Sequence, residues 1–219
     1  MIPLWDASRR PVDFPIITLL LIIANAVVFF LELSGGDAFV LQWAAVPAEI
    51  SHGRHIETLF TSMFLHAGWA HIIGNMIFLW AFGPEIEDVM GRLRYLAFFL
   101  LGGLVAMTGQ VWIDPSSTIP NLGASGAIAS VMGAFVITYP RDKIRTLLFL
   151  GFFVTVTRLP AVFLIGFWFV VQLISVGIGA ISGVNADDVA YVAHVAGALF
   201  GIVTVRLFED RQRLAERAS

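Results

Sequence analysis

Residues 14–33 form a nearly unbroken apolar run, the length an α-helix needs to cross about 30 Å of hydrocarbon. Comparable stretches recur at 69–82, extended towards Glu87 by a Gly83-Pro84 step, and at 95–113, 123–139, 160–181 and 189–208. With 58% apolar and 13% charged residues and a mean hydropathy of +0.85, the chain is far from a soluble domain, where about a quarter of residues are charged. It is therefore expected to fold as an all-α membrane protein, a six-helix bundle over residues 14–208. A lead of residues 1–13 precedes the bundle and a charged tail of residues 209–219 follows it.

Positive charge orients the bundle, because loops on the cytoplasmic side are enriched in Lys and Arg. Of the thirteen basic residues, all but Arg54 fall in the lead, in the second and fourth connections, or at the end of the last span and in the tail. Both termini are thereby placed in the cytoplasm. Residues 34–65 are too polar to span and too apolar to float free, and are expected as a structured loop or short helices in the interface. Residues 141–158 hold an apolar core too short to cross, expected as a hydrophobic loop against the membrane. The chain has no cysteine, which excludes disulfides and thiolate chemistry. A net charge of −3 with no basic patch argues against a nucleic-acid partner. The first run is too long for a signal-peptide core and lacks a small-residue cleavage site, so no cleavable leader is expected.

This topology puts polar side chains from three spans at one level of the outer half. His71 and Asn75 share a face in the first two turns of the second span. Ser125 opens the fourth span within Gly123-Ala124-Ser125-Gly126-Ala127, and His194 lies roughly 7–8 Å into the sixth. Stripes of small residues, Ser125/Ala129/Gly133 and His194/Gly197/Gly201, allow the fourth and sixth spans to approach closely. That packing brings a hydroxyl to an imidazole, the nucleophile and general base of acyl-transfer chemistry. Side-chain N–H groups of His71 and Asn75, with the free N–H at Ser125, are placed to hold an oxyanion. Singly, each residue has a plainer reading: Asn75 as interhelical glue, His66 and His71 as interfacial residues, His194 as a core histidine. Intramembrane polar groups that cluster at one depth are a functional site by default. Asp187 and Asp188 precede His194 in a loop, so a dyad is favoured over a triad. His66 and His71 lie about 140° apart on a helix and no His-Glu-x-x-His is present, which argues against a metal site. A small transporter would need polar residues through the inner half as well, or an inverted repeat, and the sequence has neither.

Several segments together resemble the rhomboid intramembrane serine proteases: His66-Ala-Gly-Trp-Ala-His71-Ile-Ile-Gly-Asn75, Gly83-x3-Glu87-x3-Gly91, Gly123-Ala-Ser125-Gly-Ala127, and Ala193-His194-x2-Gly197-x3-Gly201. The resemblance implies a serine endopeptidase with Ser125 as nucleophile and His194 as base, and an oxyanion hole of His71, Asn75 and the Ser125 backbone. His66, Gly123, Gly126, Gly197, Gly201 and Glu87 are then supporting residues. It further implies transmembrane protein substrates in the lipid bilayer, no metal or other cofactor, and a site on the extracytoplasmic side, in a bacterial inner membrane; it says nothing of oligomeric state. A non-catalytic relative that escorts helices would usually lack the serine or the histidine. Two features depart from the pattern. Ala129 stands where many relatives have an aromatic ring against the histidine, which leaves Tyr191 or Phe200 to steady it, and Trp43 and Arg54 replace an adjacent Trp-Arg pair. The fifth span, rich in Phe163, Phe167, Trp168 and Phe169 around Gly166, is the expected lateral gate, with a water funnel opening past residues 34–65.

Overall fold

The computed structural model describes residues 1–151, 153–182 and 191–218, and each of the six apolar stretches is helical within them. In chain order the elements are β1 (Ile2–Asp6), α1 (Ile16–Trp43), α2 (Pro47–Ser51), α3 (Thr58–Thr61) running into a 3₁₀ turn (Ser62–Phe64), α4 (Trp69–Met90), α5 (Arg92–Ile113) and α6 (Ser125–Thr138). Then come β2 (Lys143–Leu150), β3 (Phe153–Pro160), α7 (Ala161–Ser182), α8 (Tyr191–Phe208) and α9 (Arg211–Ala218). By length and composition α1, α5 and α8 can each cross a membrane, and α4 does so together with the Thr58–Phe64 segment, which meets it at 90°.

α6 explains why a bundle is needed at all. Its 14 residues reach only about 21 Å at 1.5 Å per residue, short of the ~30 Å hydrocarbon layer. It survives because other helices surround it: Gly126 to Phe135 are buried without a break. α6 is the hub around which α4, α5 and α8 pack. Phe82 and Phe135 meet edge to face at 5.2 Å, and Tyr95, Phe98 and Phe99 close the core around them.

Glycines set the closest approach. A Cβ on Gly197 would strike the Gly126 carbonyl, one on Gly201 the Ser130 carbonyl, and one on Gly133 the Ala198 carbonyl. The α8 stripe is as the sequence predicts. On α6, Gly126 and Ser130 meet the α8 glycines through their carbonyls, and Gly133 lies against Ala198, so Gly126 and Ser130 join the predicted Gly133 at the closest approach. Only backbone and the smallest side chains fit at the centre of so tight a crossing, and a serine that presents its hydroxyl must sit at the crossing's edge.

Glu87 sits at the far end from Ser125's end of the bundle. Its carboxyl accepts the Ile17 and Thr18 N–H groups at 2.9 and 2.8 Å and the Thr18 hydroxyl at 2.8 Å. Those are donors that Pro15, the capping position of α1, leaves unsatisfied. Nearby, Arg213 of α9 donates to Asp13 and to the Asp88 carbonyl, tying the tail to the start of α1.

Two expectations are corrected. The first helix does not stop near residue 33 but runs on to Trp43 through a break at Gly36, whose φ of 61° is left-handed. Residues 141–158 are not a loop: β2 and β3 form a hairpin, turned at Gly151 (φ 63°), and β1 adds a third antiparallel strand. Val154, Thr155, Val156 and Thr157 are β-branched and favour the strand, and the lead's apolar residues 2–5 find a partner edge there. Phe149, Phe153, Val154 and Val156 remain exposed on the hairpin.

Beneath the sheet, Arg9 pairs with Asp142 and lies 3.9 Å over the Tyr139 ring. Asp6 is buried beside them, and burial, reinforced by the Asp142 carboxylate, pushes its pKa up to about 7. Because the folded value lies above the unfolded one of 3.8, its contribution to stability is fully present below about pH 4 and lost as pH rises through about 7. Asp6→Asn is expected to remove that slope, raising the thermal midpoint at pH 8 relative to the parent while leaving it unchanged at pH 4. Equal slopes in both proteins would show that Asp6 titrates normally.

Candidate active site

Gly123 prepares the site. Its φ of 126° is a conformation that side chains resist, and its N–H donates to the Ser62 carbonyl at 2.8 Å. A Cβ there would lie 2.9 Å from two atoms of the His71 ring. Glycine thus turns the chain into α6 and lets the imidazole pass close by. Ser125 follows as the first residue of α6, partly exposed, with its backbone N–H unpaired among the described residues.

His194, on the second turn's side of α8 and 4% exposed, places Nε2 2.6 Å from Ser125 Oγ. Its ring is steadied by Trp168 of α7, whose centroid lies 5.1 Å away at 49°, and by Tyr191 at 6.3 Å and 85°. Of the two aromatic residues named from sequence, Tyr191 is in place. Phe200 is not: it packs on Phe98 and Phe208. Trp168 is the residue that sequence reasoning missed in this role, although its place in an aromatic segment marked it as part of the gate.

Across the cavity, His71 Nδ1 accepts the Ala67 N–H at 3.3 Å. That assigns the ring proton to Nε2 and makes it a donor on the Gly123 side. Asn75 is 8% exposed and its Nδ2 has no partner among the described residues. A buried amide left unpaired costs roughly 1–3 kcal/mol. These groups line one cavity of ≈ 220 Å³ with Ser125, His194, Phe78 and Trp168.

The remaining candidates lie outside that cavity. His66 stacks edge-on against His71 at 5.1 Å, and its backbone N–H is held by Glu32 at 2.8 Å. It supports the turn into α4 rather than facing Ser125. Gly126, Gly197 and Gly201 set the α6–α8 spacing below the site, and Glu87 caps α1 at the other end. Asp187 and Asp188, considered for a triad, lie outside the described residues.

Apolar helices of this length make the chain an integral membrane protein of the helical class. Residues 53–210 match the family model described as Rhomboid domain, and the chain belongs to the rhomboid family. It is 34% identical over 164 residues to RHOMBOID-like protein 12, mitochondrial, of Arabidopsis thaliana, covering 67% of this chain and 47% of that one. To Presenilin-associated rhomboid-like protein A, mitochondrial, of Danio rerio it is 31% identical over 144 residues, 64% of this chain and 34% of that one. To Rhomboid protease GluP of Bacillus subtilis it is 34% identical over 127 residues, 56% of this chain and 24% of the relative. The chain spans about half or less of the length of these relatives.

Proposed function

We propose that this protein is an intramembrane serine endopeptidase that cuts peptide bonds in or near transmembrane segments through a Ser125–His194 dyad. The observation that carries the reading is the 2.6 Å contact between Ser125 Oγ and His194 Nε2 inside a cavity lined by unspent donors. Nε2 removes the hydroxyl proton as Oγ attacks the scissile carbonyl carbon. The carbonyl oxygen becomes an oxyanion facing Asn75 Nδ2, His71 Nε2 and the Ser125 N–H, each worth about 10²–10³ in rate. Collapse breaks the C–N bond, and His194 returns the proton to the leaving amine. A water, deprotonated by the same nitrogen, then hydrolyses the ester and restores Ser125.

The topology that goes with this reading has six crossings, with the β-sheet and both termini on the basic side and the site open to the opposite side past residues 34–65. The similar proteins are named as mitochondrial as well as coming from Bacillus, so a bacterial inner membrane is not carried into the proposal. Within a helix each backbone carbonyl is engaged by the N–H four residues on and shielded by the surrounding side chains, which closes it to attack by a hydroxyl held in a cavity of ≈ 220 Å³. The substrate must therefore unwind locally, which favours segments with small or helix-breaking residues.

Entry from the bilayer is assigned to the α4–α7 seam, where Phe78 and Trp168 meet at 6.1 Å. Since the chain has no cysteine, thiol pairs engineered across α4 and α7 give a clean cross-link. They are expected to stop cleavage of a single-span substrate, with recovery on reduction; undiminished cleavage by the cross-linked protein would place the gate elsewhere. The function itself is tested by incubating the detergent-purified protein with single-span substrates and with a serine-directed phosphonate. Substrate cleavage and phosphonate labelling at Ser125 are expected, and absence of both at full folding would reject the protease reading.

A further inference from the structure

The outer face of the β-sheet carries a row of side chains that neither the bundle nor the proposed chemistry uses. Register places Trp5 opposite Arg145, and Arg145 opposite Arg158. All three are exposed, while Ile144 and Thr146 point the other way into the core. Two like charges directly opposed on neighbouring strands destabilise a sheet, and neither arginine has an ion pair among the described residues, nor has Arg10 beside them. With Ser8, these groups line a cavity of ≈ 360 Å³; Asp6, the one acid lining it, is engaged by the Ser8 N–H at 2.6 Å, and Asp142 is taken up by Arg9. Among the described residues, no carboxylate is left to pair with the row.

A second cavity begins at the same tryptophan. An apolar groove of ≈ 690 Å³ runs from Ile2 and Trp5 between α1 and α4, past Leu19 and Ile22 to Phe29 and Trp69. The Phe29–Trp69 edge contact at 5.0 Å lies at its far end. From Leu19 to Phe30 the groove extends roughly 16 Å at 1.5 Å per residue, about the depth of one leaflet of a ~30 Å hydrocarbon layer. Arg145 lies over Trp5 at 5.5 Å, so the cationic row and the groove are continuous.

We propose that this composite surface is a binding site for an anionic phospholipid, whose phosphate lies among Arg10, Arg145 and Arg158 and whose acyl chains lie in the α1–α4 groove. The phosphate offsets the Arg145–Arg158 repulsion, and guanidinium groups suit phosphate oxygens through paired N–H donors. The shared chemistry is a phosphate monoanion, and the adjoining groove selects a lipid over a soluble phosphate. Bound there, the lipid braces the sheet against α1 and α4 at the end of the bundle opposite Ser125. The site is independent of the proposed protease activity.

The test uses the full chain, delipidated in a neutral maltoside detergent, with tryptophan quenching by phosphatidylglycerol carrying brominated acyl chains. Brominated phosphatidylcholine and soluble glycerol 3-phosphate serve as the other two probes. At about 1 kcal/mol per basic residue near a membrane surface, the two opposed arginines should give phosphatidylglycerol an advantage of about 30-fold over phosphatidylcholine. Arg145→Gln with Arg158→Gln should erase that advantage, Arg145→Lys with Arg158→Lys should keep most of it, and Arg211→Gln should leave it unchanged. The doubly Lys-substituted protein and the thermal midpoint of each variant separate lost binding from lost folding. Ala26→Phe, which fills the groove, should weaken both lipids. A preference that survives the double Gln substitution overturns the site, as does unchanged lipid affinity in Ala26→Phe. Competition by glycerol 3-phosphate as strong as by the lipid overturns the lipid assignment in favour of a soluble anion.

Discussion

Ser125→Ala and His194→Ala are each expected to lower cleavage of a single-span substrate by at least about 10⁴-fold, with the thermal midpoint and helical content unchanged. The size follows from how such pairs act: the alcohol is too weak a nucleophile without its base, and removing either member costs nearly as much as removing both. The double variant should therefore be no worse than either single one. Asn75→Ala and His71→Ala should sit between, at about 10²–10³-fold each. Asn75→Ala should also gain or hold stability, because it deletes a buried amide that lacks a partner. The measurement is kcat with purified protein in a single detergent, together with phosphonate labelling, which should vanish for Ser125→Ala. Cleavage by Ser125→Ala within tenfold of the parent would remove Ser125 from the chemistry.

Gly201→Val is expected to be the most damaging substitution outside the site. Even the first carbon of any side chain there would strike the Ser130 carbonyl, and backbone cannot rotate away as a side chain can. Overpacking in cores usually costs about 1–3 kcal/mol; a contact against backbone in the central helix pair should reach or exceed the top of that range. α6 and α8 must separate, and the Ser125–His194 contact widens with them. Misplacement by about 1 Å is enough to cost 10²-fold in rate, so activity should fall further than the folded fraction does. Gly166→Ala is the stability control: its Cβ would meet nothing within 4 Å, and replacing a helical glycine should stabilise α7 by up to about 1 kcal/mol. Thermal unfolding followed by circular dichroism reads both. Equal midpoints for Gly201→Val and the parent would mean that the helices are less tightly crossed.

Much of this is legible one segment at a time. Apolar runs mark the six helices because hydrocarbon leaves the backbone no other partner than itself. That Ser125, His71, Asn75 and His194 lie at one level of the bundle follows from counting residues along each run. The Gly197/Gly201 stripe follows from spacing on a single helix. Each of these depends on near neighbours in the chain, and periodicity carries that information.

Contacts between elements obey no such rule. Ala129 leaves open which rings steady His194; Tyr191 is near it in the chain, but the closer ring, Trp168, lies on another helix and depends on how α7 leans against α4 and α8. Lead residues 2–6 and the hairpin of residues 143–160 are strands only because each supplies the other's missing hydrogen bonds. Likewise the Ser125/Ala129/Gly133 spacing does not reveal that Gly126 and Ser130 are the residues whose carbonyls meet the α8 glycines. Helices and the level of each polar residue along them were set by local chemistry, whereas ring partners, strand pairing and the residues at the closest helix approach depended on packing between distant segments, which no window along the chain contains.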